Sequence, residues 1–129
     1  MNESTRNLLS RFRFGPPVDR KRILEILGDI AQGIPGDYME FIDCGNGGEG
    51  FISDGEYFVA WPVEDVCLSE EVDGLVLIGS NGGLENFGID LSVLPYEYVM
   101  IPCIGPAKED VRLMGSTFEG FLKTLARVR

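Results

Sequence analysis

Five short segments rich in aromatic and β-branched residues restrict the fold more than any other feature of the sequence. They lie at residues 51–52, 57–61, 75–78, 87–91 and 98–102. Glycine, aspartate, asparagine or proline bounds each segment, which is typical of strands joined by turns. Residues 80–83 are expected to form a hairpin turn, because Asn-Gly and Gly-Gly pairs tolerate positive φ. The pattern predicts a sheet in the second half of the chain.

Helical periodicity lies on either side of these segments. Apolar residues recur at helical spacing over 20–32, where Asp19 is the expected N-cap, and a shorter helix is expected over 34–44. A capping-box pattern at 116–119 opens the clearest helix, whose apolar stripe is Phe118, Phe121, Leu122, Leu125 and Ala126. This order predicts an α+β fold, with a central, mostly antiparallel sheet flanked by N-terminal helices and a C-terminal helix.

The length of the chain, 129 residues, suits one domain and is too short for two ordinary ones. Residues 1–19 are interpreted as a basic N-terminal extension with a short helix near 4–13. Two consecutive prolines, Pro16 and Pro17, would stop that helix. Residues 20–129 are interpreted as a single domain.

The net charge of −10 is distributed very unevenly. Residues 1–22 hold six Arg or Lys and two acids, and residues 108–129 hold five and three. Residues 23–107 hold sixteen acids and neither Lys nor Arg. Such a segment would repel a polyanion, so nucleic acid is not expected as a direct ligand. The acids form either an ordinary solvated surface or a face that binds a basic protein.

Several kinds of chemistry have little support in the sequence. The chain has no histidine, the commonest general base and a frequent metal ligand, and no run of acids has calcium-loop spacing. Catalysis would require an unaided carboxylate pair such as Asp43 and Glu49. The string from Gly45 to Gly50 fits a dinucleotide fingerprint, but a helix is expected before it and a strand after it, which favours a turn. We expect no enzyme activity, cofactor or metal.

The three cysteines are odd in number and widely spaced, which indicates neither a disulfide framework nor a zinc site. We expect Cys44, Cys67 and Cys103 to be small core residues. No segment has the pattern of a signal peptide or a membrane span. The cytoplasm is therefore the expected location, with no membrane contact.

Four motifs, in this order and spacing, resemble the SMI1/KNR4 (SUKH) superfamily. They are IPGDYMEFI at 34–42 followed by Asn46-Gly47-Gly48, WPVEDV at 61–66, IGSNGG at 78–83 followed by Gly88-Ile89-Asp90, and STFEGFL at 116–122. The resemblance covers roughly residues 20–125. Ile34 and Ile42 stand where that family usually has leucine, and both replacements conserve volume.

The resemblance implies an α+β fold with a central antiparallel sheet flanked by helices. It also implies a function, since bacterial members of that family are inferred to be immunity proteins that neutralise polymorphic toxins such as nucleases or deaminases. We therefore expect a non-enzymatic immunity protein, a monomer or weak homodimer, whose partner is a basic toxin domain encoded nearby. Eukaryotic relatives are linked to signalling and cell-wall regulation, so the alternative is a regulatory or scaffold domain without a toxin partner.

Partner-binding residues are expected where carboxylates surround aromatic side chains. Tyr57 and Trp61 fall on one face of a predicted strand and Phe58 on the other, so one aromatic face is either exposed as an anchor or covered as core. The candidate residues are Asp54, Glu56, Tyr57, Trp61, Glu64, Asp65, Glu70, Glu71 and Asp73.

Overall fold

A computed structural model describes residues 1–127 of the chain. The last two residues of the predicted domain, Val128 and Arg129, lie outside the described residues. Four α-helices are present within the described part: α1 Glu3–Leu8, α2 Arg20–Leu27, α3 Gly36–Cys44 and α4 Phe118–Arg127. The strands there are β1 Arg13–Phe14, β2 Gly48–Phe51, β3 Tyr57–Ala60, β4 Cys67–Leu68, β5 Leu75–Ser80, β6 Glu85–Asp90, β7 Glu97–Pro102 and β8 Arg112–Gly115.

The eight strands form one sheet in the order β1-β2-β3-β5-β6-β7-β8, and every pair is antiparallel. The remaining strand, β4, pairs with β5 next to β3, on the edge of β5 that does not face β6. The predicted α+β class, with an antiparallel sheet and a C-terminal helix, is confirmed.

The core lies between the helices and one face of the sheet. Phe121 of α4 packs edge-on against Phe87 of β6 with ring centroids 5.2 Å apart, and Phe41 of α3 lies 4.7 Å from Phe118. Complete burial of a phenylalanine side chain is worth about 2–3 kcal/mol relative to exposure. The predicted stripe of α4 is buried at Phe118, Phe121, Leu122 and Leu125. A smaller cluster covers part of the opposite face, formed by Val72, Leu75, Val99 and Ile101.

Asp37, near the start of α3, joins three elements. Its carboxylate accepts hydrogen bonds from the Tyr98 hydroxyl at 2.7 Å, the Phe118 amide at 2.7 Å and the Tyr38 amide at 2.8 Å. Burial, together with the Asp37 charge, raises the pKa of Tyr98, and burial raises that of Tyr38. Both hydroxyls therefore stay neutral at physiological pH.

The first 22 residues contact the acidic remainder of the chain. Leu9 and Phe12 are buried in the main core, and β1 pairs with β2. Arg11 pairs with Asp54, Arg20 pairs with Asp43, and the N-terminal amine lies 3.0 Å from Glu40. These contacts neutralise part of the negative charge of residues 23–107.

Two predicted helical details are wrong. The helix expected over 20–32 changes to a 3-10 helix at Gly28, because Gly28 adopts a positive φ of 58° that ends the α-helical turn. The capping box at 116–119 does not form, since α4 starts at Phe118 and Thr117 Oγ1 accepts from the Gly120 amide. Glu119 instead accepts a hydrogen bond from Asn2.

The prediction that the cysteines are core residues is also wrong. All three are exposed free thiols. Cys44 lies on the solvent side of α3, Cys67 lies on the short strand β4, and Cys103 follows β7. A small apolar side chain at a helix or strand end gives no local signal that separates a core position from a surface one.

Candidate partner-binding surface

Eight of the nine candidate residues lie in two groups at opposite ends of the sheet, and the ninth, Trp61, lies between them. Asp54, Glu56 and Tyr57 lie where β3 begins. The acids at 64–73 lie beyond its end, because β5 runs antiparallel to β3 and starts four residues past the last pair, Ala60 with Gly79. The two ends of β5 are about 17 Å apart. The structure therefore does not assemble the nine residues into a single patch.

The second group forms a continuous segment along β5, which we call the acidic edge. It spans residues 64–73 and contains the five acids of the second group, Glu64, Asp65, Glu70, Glu71 and Asp73, together with Leu68. All six side chains are exposed, and Leu68 retains 55% of its accessible surface. None of the five carboxylates forms an ion pair with another residue in the described part of the chain. The acidic edge thus presents an apolar side chain among unneutralised charges.

Buried valines hold the backbone of the acidic edge in place. Val63, Val66 and Val72 are buried, and they alternate along the chain with the exposed acids. Ser69 Oγ accepts a hydrogen bond from the Val72 amide at 3.1 Å, and the Ser69 amide donates to the Leu75 carbonyl. Apolar anchors and a hydrogen-bonded turn fix the segment, so the cost of ordering it is met on folding and not on binding.

Asn46 attaches the start of the acidic edge to the turn before β2. Its Oδ1 accepts from the Val63 amide at 2.8 Å, and its Nδ2 donates to Glu64 at 2.9 Å. The bond from Asn46 lowers the pKa of Glu64, which stays ionised. At Gly47, where φ is +76°, a Cβ would lie 2.9 Å from the Pro62 nitrogen. The Asn-Gly-Gly motif therefore holds residues 62–64 in place, and it follows helix α3 and leads into strand β2, the order that favours a turn over a dinucleotide loop.

The negative charge of the first group, Asp54, Glu56 and Tyr57, is neutralised to a greater extent than that of the acidic edge. Asp54 pairs with Arg11 at 3.1 Å, and the Tyr57 hydroxyl donates to Glu49 at 2.6 Å. That bond raises the pKa of Tyr57. The Tyr57 ring lies edge-on to the exposed ring of Phe51, with centroids 4.9 Å apart.

Trp61 lies between the two groups and is half-buried. Tyr57 and Val59 are half-buried as well, whereas Phe58 is fully buried. The strand therefore has one core face and one partly exposed face. The face that carries Tyr57 and Trp61 is neither fully exposed as an anchor nor fully covered as core.

One residue of the acidic edge was missed by sequence reasoning. Leu68 is not among the candidate residues predicted from the sequence, where an isolated leucine is most often a core residue. The available signal was its position between Glu64-Asp65 and Glu70-Glu71, since a buried side chain is rarely surrounded so closely by unpaired acids.

The two carboxylates considered for catalysis, Asp43 and Glu49, accept hydrogen bonds from different residues. Asp43 of α3 accepts two hydrogen bonds from Arg20, and Glu49 of β2 accepts from Tyr57. Within residues 1–127, no group of three or more Asp, Glu, Cys or His side chains is arranged to hold a metal ion. None of the helices described combines the length and the apolar composition that crossing a membrane requires.

Comparison with known proteins gives no family assignment. No protein-family model matches the chain, and no curated protein matches it.

Proposed function

We propose that the chain is a protein-binding domain of the SMI1/KNR4 immunity type, which neutralises a toxin domain by covering its basic site. The acidic edge carries the proposal: five exposed carboxylates without ion-pair partners in the described part lie before and after exposed Leu68 in the same segment. The supporting sequence observation is the absence of Lys and Arg from residues 23–107.

The arrangement suits a basic protein partner for three physical reasons. An apolar side chain ringed by polar groups is the usual arrangement of a binding anchor and its rim. A concentrated negative charge speeds encounter with a basic surface and discourages acidic partners. Toxins that act on nucleic acids need basic clefts to hold phosphates, so an acidic partner competes directly with the substrate. Neutralisation then requires no chemistry by this chain.

Two triple variants with the same change in net charge test the proposal. E70Q/E71Q/D73N removes three charges from the acidic edge, and E3Q/D29N/E109Q removes three exposed charges elsewhere. We expect the first to slow association with the toxin domain encoded beside this gene by about tenfold at low salt, and the second to change it less than about twofold. Stopped-flow or surface-plasmon-resonance measurements at two salt concentrations give these rates.

The reactivity of the exposed thiols reports which surface of the chain is covered in the same complex. Cys67 lies within the acidic edge, and Cys44 lies on α3. Cys67 is expected to resist alkylation in the complex while Cys44 reacts as in the free protein. Equal effects of the two triple variants, protection of Cys44 without Cys67, or no binding to the neighbouring gene product would contradict the proposal. The last result would favour a regulatory domain without a toxin partner.

A further inference from the structure

A second surface lies at the end of the sheet opposite the acidic edge. There β3, β6 and β8 begin, and α4 reaches its C-terminal turns. The backbone of this end is fixed by a hydrogen bond from the Glu56 amide to the Leu125 carbonyl, 2.8 Å long. A cavity of about 360 Å³ opens between these elements, and we call it the strand-end groove. Its volume lies within the range of small-molecule sites.

Three charged side chains line the strand-end groove. The two-residue period of a β-strand explains why they do so. Glu56 precedes the core residue Phe58 by two positions, Glu85 precedes Phe87, and Arg112 precedes Met114. Side chains two positions apart in a strand point to the same face. The three charges therefore extend the core face beyond the point where apolar residues end.

The charges line one cavity without pairing. Within the described residues, Glu56, Glu85 and Arg112 form no ion pair within 4.0 Å, and their side chains make no hydrogen bond to another residue. Here the groove keeps both signs available to a third molecule.

The floor of the strand-end groove is apolar. Met100 and Met114 line it and are buried. Methionine is flexible and polarisable, so such a floor adapts to aliphatic groups of different shape. A ligand that matched the groove would carry a cation for the two glutamates, an anion for the guanidinium and an aliphatic group for the floor.

We infer that the strand-end groove binds a free aliphatic amino acid. The α-ammonium group lies against Glu56 and Glu85, the α-carboxylate pairs with Arg112, and the side chain covers Met100 and Met114. A planar guanidinium is well suited to a carboxylate, because it donates two parallel hydrogen bonds. The inference does not depend on the proposed toxin partner, because the acidic edge that carries that proposal lies at the other end of the sheet. Of the three charged groove residues, only Glu56 is also a candidate partner-binding residue.

Methionine methyl signals provide a direct test. The chain contains four methionines, so protein labelled with ¹³C at the methionine methyl groups gives one NMR signal for each. L-leucine is expected to shift the signals of Met100 and Met114 and to leave that of Met39, which is buried in α3, unchanged. Leucinamide lacks the carboxylate and 4-methylpentanoate lacks the ammonium group, so each is expected to bind at least about tenfold more weakly.

Two variants assign the charges. R112Q is expected to weaken leucine about tenfold and to abolish its advantage over leucinamide, whereas E85Q should reduce its advantage over 4-methylpentanoate. K21Q, which neutralises an exposed lysine of α2, should bind leucine like the native protein. An unchanged Met39 signal shows that each variant is folded. Absence of shifts at Met100 and Met114 with millimolar leucine, or equal affinity for all three probes, would overturn the inference.

Discussion

Asp37 and Asn46 show how single polar side chains fix this fold. Asp37 satisfies the Tyr98 hydroxyl and the Phe118 amide, which belong to different elements, and Tyr98 is only 1% exposed. Asn46 uses both its donor and its acceptor to hold the turn at Val63 and Glu64. In both cases the side chain supplies partners that a buried or constrained backbone group needs.

Removal of the Asp37 carboxylate is expected to destabilise the fold strongly. D37A should lower the free energy of unfolding by about 3 kcal/mol, because it leaves the Tyr98 hydroxyl and the Phe118 amide without partners. Y98F should cost about 1 kcal/mol. The double variant should cost less than the sum, since both changes remove the same bond. Urea denaturation measures all three, and strictly additive effects would contradict this account.

At the scale of elements, the acidic edge depends on segments distant in sequence. The turn at 46–48 supports 62–64, and β4 pairs with β5, which follows it in the chain after a turn. The short strands β1, β4 and β8 lack a run of aromatic and β-branched residues bounded by turn residues, so nothing in their own sequences predicts them. Longer strands carry such a pattern, and the sequence correctly predicts β5, β6 and β7 to within two residues.

A matched pair of glycine variants tests the support of the acidic edge. G47A is expected to lower stability by about 2 kcal/mol, since φ there is +76° and the added Cβ would meet Pro62. G36A, at the start of α3 where a Cβ meets nothing within 4 Å, should raise stability by about 0.5 kcal/mol. Thermal unfolding of both variants checks these signs. A G47A protein as stable as the native one would show that the turn does not hold the segment.

Across the whole molecule, the start of α1 lies beside the start of α4. Glu119 of α4 accepts a hydrogen bond from Asn2 at 2.7 Å and pairs with Lys123 at 2.9 Å. These contacts, led by the bond from Asn2, lower the pKa of Glu119 from 4.5 to about 2. The first helix is thereby attached to the last.

This contact predicts a dependence of stability on acid. Because the pKa of Glu119 is lower in the folded chain than in the unfolded one, its contribution is fully present above about pH 4.5 and is lost as the pH falls to about 2. The native protein should therefore lose more stability across this interval than E119Q. Urea midpoints measured through the interval give the comparison, and parallel curves for the two proteins would rule the contribution out.

The distribution of charge was readable from the sequence, but its arrangement was not. The sixteen acids of residues 23–107 predicted an acidic surface. Some of those acids are neutralised by residues 1–22, as in the pair of Arg11 with Asp54, and others are not, as at Glu70 and Glu71. Which acids form an ion pair depends on where distant segments of the chain meet. The order of charges along the sequence contains no signal for that.

By itself, the sequence determined the fold class, the buried stripe of α4 and the acidic character of the middle of the chain, because periodicity and charge are local properties. Only the tertiary structure decided that the candidate residues separate into two ends, that the cysteines are exposed and that Leu68 lies among unpaired acids. Antiparallel pairing of β3 with β5 sends the loops at their ends in opposite directions. Residues close in sequence are therefore placed far apart, and the strand-end groove is assembled from residues that are distant in the chain.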